Sequence, residues 1–156
     1  MIDFGKVQAD AVKNICKSKI IGKAADYRIY SAITIGGNTY IPLMYKGISI
    51  YLIPEKYSLL NPAFAEVGNP MVEKIFKSAE DAYQLTDALV IKLLSDGRQL
   101  KEFKTKASKS VFVDEKLIKP FGNQGIRYYV NENSDIVYIK EIEELLGLAF
   151  ATRVKE

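Results

Sequence analysis

An α+β domain is the fold class that the sequence predicts, with two strand–helix–meander units forming antiparallel sheet and helices on one face. Three observations carry this expectation. Residues 4–17 repeat their apolar positions with a helical period, and residues 27–53 switch to a period of two broken by tight turns. Residues 108–154 then run through strand, helix and meander again. The 156 residues are expected to make a single domain, 1–156, in which 1–60 and 108–154 are joined by a helical and basic connector, 61–107.

The first element is the helix over Phe4–Lys17. Val7, Ala11 and Ile15 share one face, Lys6, Asp10, Lys13 and Lys17 the opposite one, and Gly22 ends the region. Ile29, Ser31, Ile33 and Ile35 then alternate with Arg28, Tyr30, Ala32 and Thr34, the pattern of a strand. Gly36-Gly37-Asn38 turns the chain into Thr39–Tyr45, and Lys46-Gly47 turns it into Ile48–Ile53. Pro42 has no N–H, so its strand is expected at a sheet edge or bulged.

Asn61-Pro62 and Asn69-Pro70 bracket a loop. Asn69 is expected to cap a helix over Met71–Asp81, with Pro70 at the first helical position. Helix and strand both fit Ala88–Leu94, but Val90 and Ile91 beside the Asp96-Gly97 turn favour a strand. A basic strand or loop, Arg98–Lys109, follows. Ser110–Val113 has the pattern of a short strand, and Asp114 caps a single-turn helix through Lys119 that Pro120 stops. Ile126–Val130, Ile136–Lys140 and Leu146–Val154 complete the second meander, with Asn131–Asp135 as its first turn.

Composition restricts the chemistry. There is no histidine and one cysteine, which excludes metal sites built on imidazole or paired thiolates and every nucleophile–histidine relay. No disulfide can form within the chain, and a lone thiol suits a reducing cytosol. The opening residues carry charge and no run approaches the ~18 apolar residues of a membrane span, so a cytoplasmic protein without membrane association is expected. Carboxylates are the only general acid–base candidates, at Glu141, Glu143 and Glu144, at Asp114-Glu115 and at Glu80-Asp81. Neighbours in sequence diverge on a helix or strand, so solvated turns and caps explain these better than catalysis. The alternating oxygens of Asn131–Asp135 resemble a calcium loop. Ile136 and Ile142 stand where that loop needs glycine and glutamate, which leaves a polar hairpin turn. Gly36-Gly37 has neither the strand-to-helix setting nor the lysine of a phosphate cradle. Cys16, at the border of the apolar helix face, is expected as a small core residue. No catalytic residue, metal ligand or cofactor is assigned, and a non-enzymatic role is expected.

Charge is more informative in its distribution than in its total of +3. Residues 1–30 hold six cations against three acids, and residues 98–119 seven against three. Such segregation attracts phosphates in a salt-dependent way, although lysines kept for solubility give the same pattern. Nine of the ten tyrosines bear on this: Tyr27, Tyr30, Tyr40, Tyr45, Tyr51 and Tyr57 lie in the first meander region, and Tyr128, Tyr129 and Tyr138 in the second. Exposed rings on a basic sheet bind single strands, while tyrosine is also a good strand former on half-buried sheet.

The stretch Ser110–Phe121, with Ile126–Asn133, Ile136–Ile139 and Leu146–Val154, resembles half a domain of a DNA sliding clamp of the bacterial polymerase beta type. Asp114, Leu117, Leu148 and Arg153 occupy comparable places. Similar small domains occur among bacteriophage proteins of unknown role. The resemblance covers about 45 C-terminal residues, and the first 60 share only its plan. It implies a ring subunit whose helices face duplex DNA through lysines, here Lys6, Lys13 and Lys17 on the first helix and Lys116 and Lys119 on the second. A clamp subunit joins two or three such domains, and oligomerisation into a homo-oligomer would supply the missing copies. The helix after Pro70 and its basic sequel are foreign to the pattern. The expected function is a non-enzymatic, clamp-like DNA accessory protein of replication or recombination in a phage or mobile element. The alternative is a protein-interaction or regulatory module without nucleic-acid contact. A third hypothesis, a small hydrolase or transferase, needs two carboxylates converging in a pocket.

Overall fold

Asp3 opens the first helix, α1 (Phe4–Ile21), by accepting the Lys6 N–H at 3.0 Å. Gly22 closes it in the left-handed conformation, φ +70°, which a side chain would strain. The computed structural model describes residues 2–59, 65–66 and 70–154. The chain divides into two units: an N-terminal unit, Asp3–Lys77, and a C-terminal unit, Ser78–Glu156 with Met1–Ile2. Both are α+β, with antiparallel sheets and helices.

In the N-terminal unit α1 is followed by β1 (Tyr27–Tyr30), β2 (Ile33–Ile35), β3 (Asn38–Tyr45) and β4 (Ser49–Pro54). The order is β5–β1–β3–β4, where β5 (Ala65–Glu66) is a short parallel addition to β1. The single period-two strand expected over residues 27–35 is two strands, both paired with β3. Ile29 faces Leu43 and Ile33 faces Tyr40, so three residues of one chain span two of the other. That bulge lies across from Pro42, where β3 cannot donate a ladder bond. β3 is interior, between β1 and β4, so the edge expected for Pro42 is not found, and the extra residue falls in the opposing strand rather than in Pro42's own. Gly36 and Gly37, at φ +57° and +82°, make the β2–β3 turn that requires such values.

Val7, Ala11, Ile15 and Ser18 form the buried side of α1, joined by Gln8. Cys16 falls outside this arc: the thiol is exposed rather than a core residue. Gln8 takes a core place because its amide is fully used. Nε2 donates to the Phe4 carbonyl (2.9 Å) and the Tyr57 carbonyl (3.1 Å), and Oε1 accepts the Leu59 N–H (2.7 Å). Asn14 ties the same helix to β1, its Oδ1 accepting the Asp26 N–H at 2.8 Å. α2 (Pro70–Lys77) begins at Pro70 as expected and gives way to a 3-10 turn, Ser78–Asp81. The Asn61-Pro62 loop and the Asn69 cap lie outside the described residues.

The C-terminal unit has two sheets. One runs β12–β11–β10–β6 through β6 (Tyr83–Gln84), β10 (Ile126–Val130), β11 (Ile136–Glu141) and β12 (Glu144–Phe150). The other runs β7–β8–β9 through β7 (Thr86–Leu93), β8 (Gln99–Lys104) and β9 (Ser110–Asp114). The strand favoured over residues 88–94 is therefore present, and the basic segment after it is largely strand. Asp114 caps α3 (Glu115–Ile118) by accepting the Lys116 N–H at 3.0 Å. Pro120 does not stop this helix: it sits inside a 3-10 turn, Lys119–Phe121, which ends at Gly122. The last strand stops at Phe150 rather than Val154; beyond it the Thr152 N–H bonds the Phe112 carbonyl at 2.7 Å. The segment expected to connect two halves is itself divided: β5 and α2 belong to the N-terminal unit, and β6, β7 and β8 to the C-terminal one.

β7 is an edge strand with a distortion at its centre. Asp87 faces Phe103 and Ile91 faces Lys101, so Ala88, Leu89 and Val90 together oppose Glu102 alone. Leu89 has φ +57° and is 87% exposed, and its N–H bonds the Asp87 Oδ1 at 2.8 Å.

Candidate nucleic-acid interface

Lys6, Lys13 and Lys17 lie seven and four residues apart on α1, which places them within about 40° of one another around the axis. All three are exposed and turned away from the buried Val7, Ala11 and Ile15. Among the described residues no ion pair involves them. Asp10 intrudes on the stripe, four residues from Lys6 and three from Lys13, and dilutes its charge. The result is a one-sided basic helix face in the N-terminal unit.

Lys116 and Lys119 belong to the C-terminal unit, both exposed, on α3 and the 3-10 turn after it. The structure thus gathers three of the five expected lysines on α1 and places one on α3 and one on the turn after it, each set within its own unit. Lys119 lines a cleft of ≈ 520 Å³ with Lys101, Glu115, Asn123 and Tyr128. A neighbouring recess of similar size shares Lys101, Asn123 and Tyr128 and adds Asp87, Phe103 and Arg127.

Lys101 organises this region. Its ammonium pairs with Asp87 at 3.0 Å and lies 5.6 Å and 5.9 Å from the ring centroids of Phe103 and Tyr128, which contact each other at 4.6 Å. Burial would raise the Asp87 carboxyl, but the Leu89 N–H and the Lys101 ammonium hold it below the usual carboxylate range. Burial pushes the Tyr128 phenol up to about 12, so it remains a neutral hydrogen-bonding group at ordinary pH. The Asp87 carboxylate thus stays ionised and neutralises Lys101, so the region is an ion pair beside aromatic surface. Among the described residues no cluster of three or more acidic or thiol side chains could hold a metal ion.

A second group lies on the sheet rather than in the cleft. Arg127 faces Lys140 in the β10–β11 ladder, and the Lys140 ammonium sits 4.6 Å from the Tyr129 ring centroid. Sequence reasoning weighed Tyr129 and the basic segment holding Lys101 without assigning either to a site, and it missed Arg127 and Lys140 as possible contacts. Their alternation was visible, but the register that pairs them was not. Set against family models, curated proteins and solved structures, the chain matches none of them.

Proposed function

We propose that this chain is a DNA-associated accessory protein, clamp-like in plan, that holds the phosphate backbone through lysines without reading sequence. The supporting observation is the stripe of Lys6, Lys13 and Lys17, one-sided and free of ion pairs among the described residues. Such a stripe neutralises phosphates and releases counterions, so affinity falls steeply with salt. Lys116 and Lys119 add a smaller cationic site on α3 and the turn after it. The test is fluorescence anisotropy with a labelled duplex across a salt series. The Lys6→Ala, Lys13→Ala, Lys17→Ala triple variant is expected to lower the slope of log K against log salt by about 2.7, at ~0.9 per phosphate contact. No binding of wild-type protein at low salt, or an unchanged slope in the variant, overturns the proposal.

One feature favours a protein-interaction module instead. Leu89, Val90, Ile91 and Leu93 are all exposed on β7, a concentration of bare apolar surface on one strand. A stoichiometric protein complex that survives nuclease and is lost on Ile91→Ser, while the lysine triple variant retains it, would support that alternative.

A further inference from the structure

Arg127 and Lys140 are direct partners in the antiparallel β10–β11 ladder. Directly opposed residues carry their Cβ atoms about 5 Å apart on one face, and like charges so placed destabilise the pair. The neighbours in the strand register do not offset this, although the Asp87 carboxylate lines the same recess as Arg127. The register puts Gln84 and Tyr138 on either side of Tyr129, Leu148 beyond Tyr138, and Leu145 beside Lys140, all uncharged. Among the described residues no ion pair includes Arg127 or Lys140. Arg127 is exposed, and Lys140 and Tyr129 are half-buried. Two cations without an ion pair among the described residues therefore adjoin an aromatic ring, with the exposed Gln84 amide next to it on the edge strand.

We infer that Arg127, Lys140 and Tyr129 form a site for single-stranded DNA. A phosphate bridges the two cations and removes their mutual repulsion. The adjoining base stacks on the Tyr129 ring, displacing the Lys140 ammonium from above it towards the phosphate. Duplex DNA satisfies only the first contact, because its bases are already stacked. The inference deepens the reading of the chain as DNA-associated, but rests on residues distinct from the α1 stripe.

The experiment is anisotropy with a labelled short oligothymidylate, using heparin as a polyanion without bases. Arg127→Gln with Lys140→Gln is expected to reduce the salt slope for the oligonucleotide by about 1.4, at ~0.7 per single-strand contact. Tyr129→Leu is expected to weaken oligonucleotide binding about tenfold while leaving heparin unchanged, and Tyr129→Phe to leave both unchanged. The melting temperature of the double glutamine variant should rise, since it relieves the like-charge pair, and this checks that the variant folds. Oligonucleotide binding insensitive to the cation pair and to Tyr129→Leu overturns the site. Equal loss of heparin on Tyr129→Leu overturns the stacking role. Duplex binding that depends on Lys6, Lys13 and Lys17, with oligonucleotide binding indifferent to Arg127 and Lys140, defeats this inference alone. Oligonucleotide binding through this site without any duplex binding defeats the α1 proposal alone.

Discussion

In the N-terminal unit all six residues of β4 are buried, whereas β7 of the C-terminal unit fully buries none of its eight. The contrast extends to charge. The N-terminal unit sets its lysine stripe on the outside of a helix, and the lysines it places over rings, Lys46 over Tyr45 and Lys56 over Tyr57, sit in turns outside its strands. The C-terminal unit places cations over aromatic rings on its strands and turns: Lys92 over Phe112, Lys106 over Tyr83 at 4.4 Å, and Lys140 over Tyr129. A helix keeps its polar and apolar residues on separate arcs, so its binding face costs the core nothing. A sheet whose rings carry lysines mixes the two, and its binding surface is built from groups that also pack.

Three substitutions probe that difference. The largest effect is expected from Phe103→Ala, at a fully buried ring that contacts Tyr128: a loss of about 3–5 kcal/mol, read from the denaturant midpoint. It should also open the cleft wall that holds Lys101, so that packing and the polar site fail together. In the N-terminal unit Gln8→Ala is expected to cost about 1–1.5 kcal/mol, because it removes the hydrogen bonds that a buried amide makes to Tyr57 and Leu59. Amide exchange at Leu59 should accelerate while DNA affinity stays unchanged, since the stripe lies elsewhere on α1. The smallest effect belongs to Asp87→Asn, about 0.2–1 kcal/mol for a partly exposed pair with Lys101. The folded-state carboxyl lies below its usual value, so its contribution is present above the ordinary aspartate range and is lost in acid. The stability difference between wild type and Asp87→Asn should therefore shrink once pH falls below about 3.9.

Much of the backbone was legible because local pattern decides it. The spacing of Val7, Ala11 and Ile15 announced α1, and the Gly36-Gly37 turn announced the hairpin it makes. Pro42 signalled an irregular ladder, but the break between β1 and β2 across from it was not expected. Gln8 and Cys16 were not legible in the same way. Gln8 is buried because its partners, Tyr57 and Leu59, come from a segment about fifty residues away, and no helical period encodes them. Cys16 was expected in the core as a small residue at the border of the apolar face, but it lies about 100° around the axis from Ile15, outside the arc that packs. The site divides along the same line. Lys6, Lys13 and Lys17 could be aligned from helical geometry, whereas Arg127 and Lys140 meet only through the register across the Asn131–Asp135 turn.

The distortion at Leu89 works against strand-by-strand polymerisation. A straight, apolar border strand offers evenly spaced amides and carbonyls on which further strands can zip, chain upon chain. Here the spacing is interrupted midway, and one of the interrupted amides is already claimed by a carboxylate of its own strand. The border can thus keep four bare apolar side chains without serving as a seed for fibres.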